Sequence, residues 1–135
     1  MAIVRRVAAS LLFGWLAFAC SGSPLQTRDA PMTVGVWTDG SVCLTVGTQA
    51  CDVTAGCGHG QFPRPIVRAD GTFEADGTYR IEIGPVGIDP APPAHFSGVV
   101  DGSKLTLKVF PTGSGLAPAT YTMRSASLPG CPRCA

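Results

Sequence analysis

The residues of this chain with the most readable chemistry are its 6 cysteines and one histidine set among glycines. Thiols in an oxidising compartment usually pair. Cysteines that are close in the sequence favour a bridge within one hairpin, and a late cysteine favours a bridge that ties down the C-terminal tail. We expect structural disulfides among the cysteines that follow Cys20, with one thiol to spare and the connectivity open: Cys43, Cys51, Cys57, Cys131 and Cys134.

Two pairings follow from their positions. Cys43 and Cys51 flank one predicted hairpin and are expected to face each other across it. Cys57 is expected to bond either Cys131 or Cys134, which would tie the C-terminal tail to the domain. A bridge that closes so long a loop contributes a few kcal/mol to stability, on the order of 2–4.

Two sharper uses of these thiols are weighed against structural bridges. A redox pair at Cys131 and Cys134 would need a helix N-terminus to lower a thiol pKa, and only Ala135 follows in the sequence. A zinc site would combine Cys51, Cys57 and His59 with the terminal cysteines, but the first spacing is wider than zinc sites usually show. We therefore expect no metal and no cofactor.

His59 is a weak functional candidate because it lies close to Cys57 in a glycine-rich segment that we predict to be an irregular loop. A cysteine–histidine dyad can activate a thiolate. The favoured interpretation is that Cys57 is bridged and His59 packs beside it. His95 opens a predicted strand, and Glu74 and Asp76 flank a predicted turn, so neither indicates a catalytic pair. We expect no catalytic residue and no enzyme activity.

The N-terminus has the order of a secretory signal: a short stretch with Arg5 and Arg6, an uncharged run over residues 7–18, then small residues. The apolar run is too short to span a hydrocarbon core of about 30 Å. Residues 17–20, Ala-Phe-Ala-Cys, resemble the lipobox of bacterial lipoproteins. The resemblance implies removal of residues 1–19 and acylation of Cys20. Ser21 in place of aspartate implies the outer membrane.

The alternative is ordinary cleavage near Ala19, which would leave Cys20 as a free or bridged thiol. Residues 20–31 contain two prolines and no hydrophobic periodicity, so we predict a flexible tether. Residues 32–135 are predicted to form one domain, which suits a chain of 135 residues. The formal net charge of +1 gives no support for a nucleic-acid partner.

The composition favours strands and tight turns, with 17 glycines, 12 prolines and only 14% charged residues. Apolar residues alternate in short runs, as at Leu105, Leu107 and Val109. Asp-Gly pairs at residues 39–40, 70–71, 76–77 and 101–102 are predicted turns.

These patterns predict an all-β fold of about eight short antiparallel strands, either an up-and-down, lipocalin-like barrel or a sandwich. The barrel is preferred because closure leaves no bare edge. Bulky side chains are expected to point inward and fill the interior: Phe62, Phe73, Tyr79, Phe96, Phe110 and Tyr121.

Three segments carry a family resemblance: Cys-Gly-His-Gly at residues 57–60, Ala-Asp-Gly-Thr-Phe at 69–73, and Val-Asp-Gly-Ser-Lys-Leu-Thr-Leu at 100–107. Over about residues 35–131 the chain is similar to an uncharacterised family of small secreted or lipid-anchored bacterial β-barrel domains. The resemblance implies a barrel and no particular activity.

We therefore expect a non-catalytic envelope lipoprotein, held to the membrane through Cys20, that serves a structural or protein-binding role. One alternative is a lipocalin-like carrier of a small apolar ligand, since barrels of about eight strands can hold one. The other alternative is an inhibitor of an envelope-attacking hydrolase. A cell-envelope location is common to all three.

Overall fold

The computed structural model describes residues 28–82, 90–127 and 131, and the described chain is built of strands. The predicted signal over residues 1–19, Cys20 and residues 21–27 of the tether lie outside the described residues. The strands are β1 (Ala30–Pro31), β2 (Gly35–Thr38), β3 (Val42–Val46), β4 (Ala50–Ala55), β5 (Gly58–Pro63), β6 (Ile66–Val67), β7 (Thr72–Ile81), β8 (Pro93–Asp101), β9 (Lys104–Pro111) and β10 (Ala119–Ala126).

Eight of these strands form a closed antiparallel barrel in the order β10-β2-β3-β4-β5-β7-β8-β9, which confirms the all-β prediction and decides for the barrel against the sandwich. The ring closes where the first barrel strand pairs with the last. Arg124 is opposite Thr38 there, and Ala126 is opposite Val36. Every barrel strand consequently has two hydrogen-bonded neighbours, and no edge is left bare.

Side chains alternate between the barrel interior and the outside, as the period of a strand requires. On β9, Leu105, Leu107 and Val109 are buried, and Lys104 and Lys108 are exposed. The interior is filled mainly by large side chains with almost no exposed surface: Phe62, Phe73, Phe96, Met32, Leu44, Leu105, Leu107 and Met123.

Of the aromatic residues predicted to point inward, Phe62, Phe73, Phe96 and Tyr79 are buried, and Tyr121 packs against the same core. Phe110 was wrongly predicted. It follows Val109 on β9, so the alternation turns it to the outside, where 39% of its surface is exposed.

Three of the four Asp-Gly pairs form the predicted turns, since Gly40, Gly71 and Gly102 have positive φ angles of 96°, 86° and 57°. In the first turn, the Asp39 carboxylate accepts hydrogen bonds from the Ser41 and Val42 backbone amides, both at 2.7 Å. These bonds, led by the one from Val42, lower the pKa of Asp39.

The turn predicted at Asp76-Gly77 was wrong, because β7 runs unbroken from Thr72 to Ile81. Glycine serves a different purpose here. A Cβ atom at Gly77 would lie 2.0 Å from the carbonyl oxygen of Gln61 and 2.8 Å from Cβ of Phe62. The missing side chain thus lets β5 and β7 approach closely where the sheet curves.

The barrel has two different ends, because consecutive connections alternate between them. We call the closed end the one formed by turn 47–49, segment 64–71 and turn 102–103. Met32 lies across it with 2% of its surface exposed. Its amide donates to the Pro65 carbonyl at 2.9 Å, and its carbonyl accepts from Arg64 Nε at 2.6 Å. The chain leading into the barrel thereby becomes part of the core.

The segment just before Met32 is also held at the closed end. Ala30 and Pro31 pair with Val67 and Ile66 in a small second sheet, and the Asp29 carboxylate accepts from the Ala69 amide at 2.9 Å. Residues 29–31, at the end of the predicted tether, thus contact the barrel domain. Pairing of the short β1 strand was not visible in a segment that has no hydrophobic periodicity.

We call the open end the one formed by turns 39–41 and 56–57 and by loop 112–118. Two tyrosines lie inside it. Tyr79 is 7% exposed, and Tyr121 is half-buried beside it. Burial, followed by the charge and hydrogen bond of Tyr121, raises the pKa of Tyr79 to about 12.

Candidate functional site

His59 lies on a strand and not in the predicted loop, because the glycines on either side of it face the barrel interior. A Cβ atom at Gly58 would lie 1.9 Å from the Tyr79 hydroxyl oxygen, and one at Gly60 would lie 2.6 Å from a methyl carbon of Val53. These two glycines leave room for neighbouring side chains. Strand alternation then places His59 on the outer surface.

The surroundings of His59 are polar. Its Nε2 atom lies 3.9 Å from Asp52 Oδ1 on β4, and it is paired across strands with Arg80 on β7. Arg80 in turn forms an ion pair with Glu82 at 2.7 Å, and this hydrogen bond is the leading cause of a lowered pKa of Glu82. The cluster is an exposed charged patch.

The structure does not assemble the thiolate dyad or the zinc site weighed from the sequence. Cys57 is disulfide-bonded, so it holds no thiolate for His59 to activate. Cys51 faces the interior while His59 faces outward, so the barrel wall separates them. The residues that the structure describes contain no group of three metal-ligating side chains.

A disulfide joins Cys43 to Cys131, which are 88 positions apart in the sequence. The predicted Cys43–Cys51 bridge was wrong. In the register of β3 with β4, Cys43 is opposite Thr54 on the outer face, whereas Cys51 is opposite Val46 on the inner face. A bridge between Cys57 and Cys131 is excluded because Cys131 is taken. Cys134 lies outside the described residues, so its pairing with Cys57 stays a prediction.

Among the described cysteines, Cys51 keeps a free thiol, and none of its surface is exposed. Burial, with a smaller contribution from the charge of Asp52, raises its pKa to about 11. A buried thiol with so high a pKa is protonated at neutral pH and inert as a nucleophile.

The densest polar cluster is one that sequence reasoning missed. On the outer face of β7 and β8, His95 Nδ1 lies 2.8 Å from Asp76 Oδ1, and His95 Nε2 lies 3.8 Å from Glu74 Oε1. Arg68 extends the cluster, with Nη2 at 3.1 Å from Glu74 Oε2. Because β7 is unbroken, Glu74 and Asp76 share one face, which a turn between them would have prevented.

Both ring nitrogens of His95 face carboxylates. Among the described residues, no hydroxyl or thiol lies within hydrogen-bond distance of either nitrogen. Beside the cluster lies a shallow groove of about 290 Å³. Two apolar side chains are exposed on the same face, Val99 at 42% and Phe110 at 39%. We call this surface the His95 face: Glu74, Asp76, His95, Ser97, Val99, Lys108 and Phe110.

A small pocket of about 120 Å³ opens at the open end of the barrel. Its walls are apolar apart from the two tyrosine hydroxyls, and Leu116 from loop 112–118 lies over it. The pocket is lined by Tyr79, Ile81, Val109, Pro111, Leu116, Ala117, Ala119 and Tyr121. A site of this size suits a ligand no larger than a single ring.

No protein-family profile, curated protein or solved structure matches this chain. The family resemblance seen in residues 57–60, 69–73 and 100–107 therefore stays a prediction, as does the lipobox. Within residues 28–82, 90–127 and 131, no helix has the length and apolar character needed to cross a membrane.

Proposed function

We propose that this protein is an envelope lipoprotein, anchored through Cys20, whose barrel is a non-catalytic module that contacts another envelope protein through its outer surface. The sequence supports the anchor. The filled interior of the barrel is the observation that supports a non-catalytic binding module. Phe62 and Phe96 stack across it with ring centroids 4.3 Å apart, so binding is left to the outside.

The His95 face has the features of a contact surface. Exposed Val99 and Phe110 supply apolar area, and the polar side chains of Asp76, His95 and Lys108 lie between and beside them. Protein interfaces combine an apolar or aromatic centre with a polar rim in this way. One candidate for this partner is an envelope-attacking hydrolase, which the lipoprotein would inhibit.

The anchor is tested by growing cells with a labelled fatty acid and following the Cys20→Ser variant. Unaltered protein is expected to incorporate the label and to fractionate with membranes, and Cys20→Ser is expected to do neither. A matched variant that adds Ser23→Cys to Cys20→Ser tests whether a nearby thiol suffices, and we expect it not to restore the label. Unlabelled wild-type protein would overturn the anchor.

The contact surface is tested by photo-crosslinking in the cell envelope. A crosslinking residue in place of Phe110 is expected to give a discrete adduct, and one in place of the exposed Thr122 on β10 serves as the control. The adduct is expected to disappear when Lys108→Glu reverses a charge on the same face. Equal crosslinking from both positions, or none from position 110, would contradict the proposal.

The pocket at the open end favours a second candidate function, carriage of a small apolar ligand. Tyr79 and Tyr121 would give such a ligand hydrogen-bonding groups at the floor of an otherwise apolar site. Native mass spectrometry of protein released from membranes is expected to show an added mass if the barrel is a carrier. Leu116→Trp, which fills the pocket, is expected to abolish that mass.

A further inference from the structure

The closed end of the barrel carries the most exposed large apolar side chains that the structure describes. Ile66 is 52% exposed and Val34 is 51% exposed. Ala30 and Pro31 are exposed beside them on β1. Pro31 is the strand partner of Ile66, which places these two residues on the same side of the small sheet. Val34 lies between β1 and β2 at the same end. We call Pro31, Val34 and Ile66 the closed-end patch.

The exposure of Ile66 follows from the local fold. The two residues of β6 point in opposite directions, so Val67 packs against the core and Ile66 must face away from it. The surrounding backbone is fixed by the bonds of Met32 to Pro65 and Arg64. The patch is therefore a permanent feature of the fold.

Arginines border the patch. Arg64 donates to the backbone carbonyls of Met32 and Thr48, so in the part of the chain that the structure describes carbonyl groups rather than a carboxylate hold its charge in place. Arg28 and Arg68 line a groove of about 190 Å³ between β1 and the barrel. Asp29 and Asp70 at the same end offset part of this charge, which makes the apolar residues the leading contribution.

The N-terminal segment reaches the barrel at this same end. From Cys20 to Arg28 the chain cannot extend beyond about 29 Å. Residues 29–32 cannot lengthen the tether without breaking the β1–β6 pairing and removing Met32 from the core. A lipid on Cys20 would thus hold the closed end within that distance of the bilayer. The effective concentration of the closed end at the bilayer surface would then be high enough for a weak contact to form.

We propose that the closed-end patch rests on the bilayer surface, with Ile66 and Val34 in the interface and Arg28 and Arg64 at the level of the lipid phosphates. This inference rests on the proposed lipid anchor. Apolar side chains with flanking arginines suit the boundary between headgroups and acyl chains. The open end and its pocket then point away from the membrane.

The test uses full-length lipidated protein in phosphatidylcholine–phosphatidylglycerol vesicles that contain brominated acyl chains, which quench nearby tryptophan fluorescence. Ile66→Trp reports on the closed end, and Phe110→Trp is the matched control at an exposed site on the barrel wall. The native Trp37 is common to both variants. We expect the added emission of Ile66→Trp to fall at least twofold relative to vesicles without bromine, and that of Phe110→Trp to stay unchanged.

The outcomes separate the orientation from the anchor. Vesicle-bound, acylated protein in which neither tryptophan is quenched, or in which Phe110→Trp is quenched more strongly, overturns the orientation and leaves the anchor intact. Protein that lacks an acyl mass and does not sediment with vesicles overturns the anchor, and the orientation with it. A reduced quenching of Ile66→Trp when Val34→Ser is added supports the patch as one contact.

Discussion

The two ends of the barrel are held together by different means. At the closed end, Met32 packs into the core and is hydrogen-bonded through both its backbone amide and its backbone carbonyl. Strand β1 also pairs with β6 there. Toward the open end, Cys43, the second residue of β3, is bridged to Cys131 on the outer face of the barrel, and Cys57 in turn 56–57 is also disulfide-bonded. Packing and hydrogen bonds hold the closed end, whereas the open end has disulfides near it in addition to its packed tyrosines.

This difference shows how one small barrel can be closed in two ways. Side-chain packing is unaffected by reducing agents, but it is weakened when a buried side chain is shortened, because the resulting cavity is not refilled. A disulfide resists side-chain changes nearby but depends on an oxidising compartment. The two ends should therefore respond to different perturbations.

The largest effect is expected from removing the Cys43–Cys131 bridge. The paired change Cys43→Ser and Cys131→Ser frees a loop of 88 residues, and the unfolding free energy should fall by about 4 kcal/mol in urea titrations. Cys51→Ala, which alters the free thiol instead, is the control and should cost about 1 kcal/mol. A double variant as stable as the parent would contradict a stabilising bridge.

At the closed end, Met32→Ala should lower the unfolding free energy by about 3 kcal/mol, since it leaves a cavity in the core. Leu116→Ala at the open end should cost less than about 1 kcal/mol, because Leu116 is only partly buried. The same titrations measure both. Equal losses would show that packing matters as much at the open end, and the comparison of the ends would fail.

The tight contact between Gly58 and Tyr79 tests packing inside the open end. Gly58→Ala places a methyl group against the Tyr79 hydroxyl and should cost about 2 kcal/mol. Tyr79→Phe removes that oxygen, so the double variant should lose less than the sum of the two single variants. Thermal denaturation of all four proteins gives the coupling. Strict additivity would mean that the ring moves aside without strain.

The smallest effect is expected at the Asp39 turn of the open end. The folded-state pKa of this carboxyl is lowered. Its contribution to stability is therefore present above the unfolded-state pKa of about 3.9 and is lost as pH falls through the folded-state value.

Stability falls as the pH is lowered below 5, and Asp39→Asn should make this fall smaller. Acid titration followed by circular dichroism measures it. At pH 7 the same variant should lose less than about 1 kcal/mol of unfolding free energy. Asp101→Asn, at the exposed turn between β8 and β9, is the control. An acid profile identical in all three proteins would rule out a role for the turn.

The alternation of apolar residues was sufficient to predict most strands. The pattern of Leu105, Leu107 and Val109 fixes which face of β9 is buried, and applying it strictly would have placed Phe110 outside. Glycines were harder to interpret. Asp-Gly at residues 39–40 is a turn, whereas at residues 76–77 it allows a close approach between strands. The two uses have the same local sequence and differ only in tertiary contacts.

The polar clusters depended on register, which no local pattern contains. His95 is opposite Asp76 because β7 pairs with β8 in a particular alignment, and the long loop between those strands leaves that alignment open. The Cys43–Cys131 bridge joins residues remote in sequence, so its pairing could not be predicted from a local pattern either. A spare thiol could be predicted by counting the cysteines. Its identity as Cys51 could not, because it depends on the position of Cys51 on the inner face of β4.

Because β2 is hydrogen-bonded to β10, the first barrel strand to be synthesised waits for the last one. A polypeptide that emerges N-terminus first holds an unsatisfied strand edge until residue 126 is available, and Cys43 waits longer still for Cys131. The β3, β4 and β5 hairpins can form early, but the cylinder is completed only after nearly the whole polypeptide has emerged.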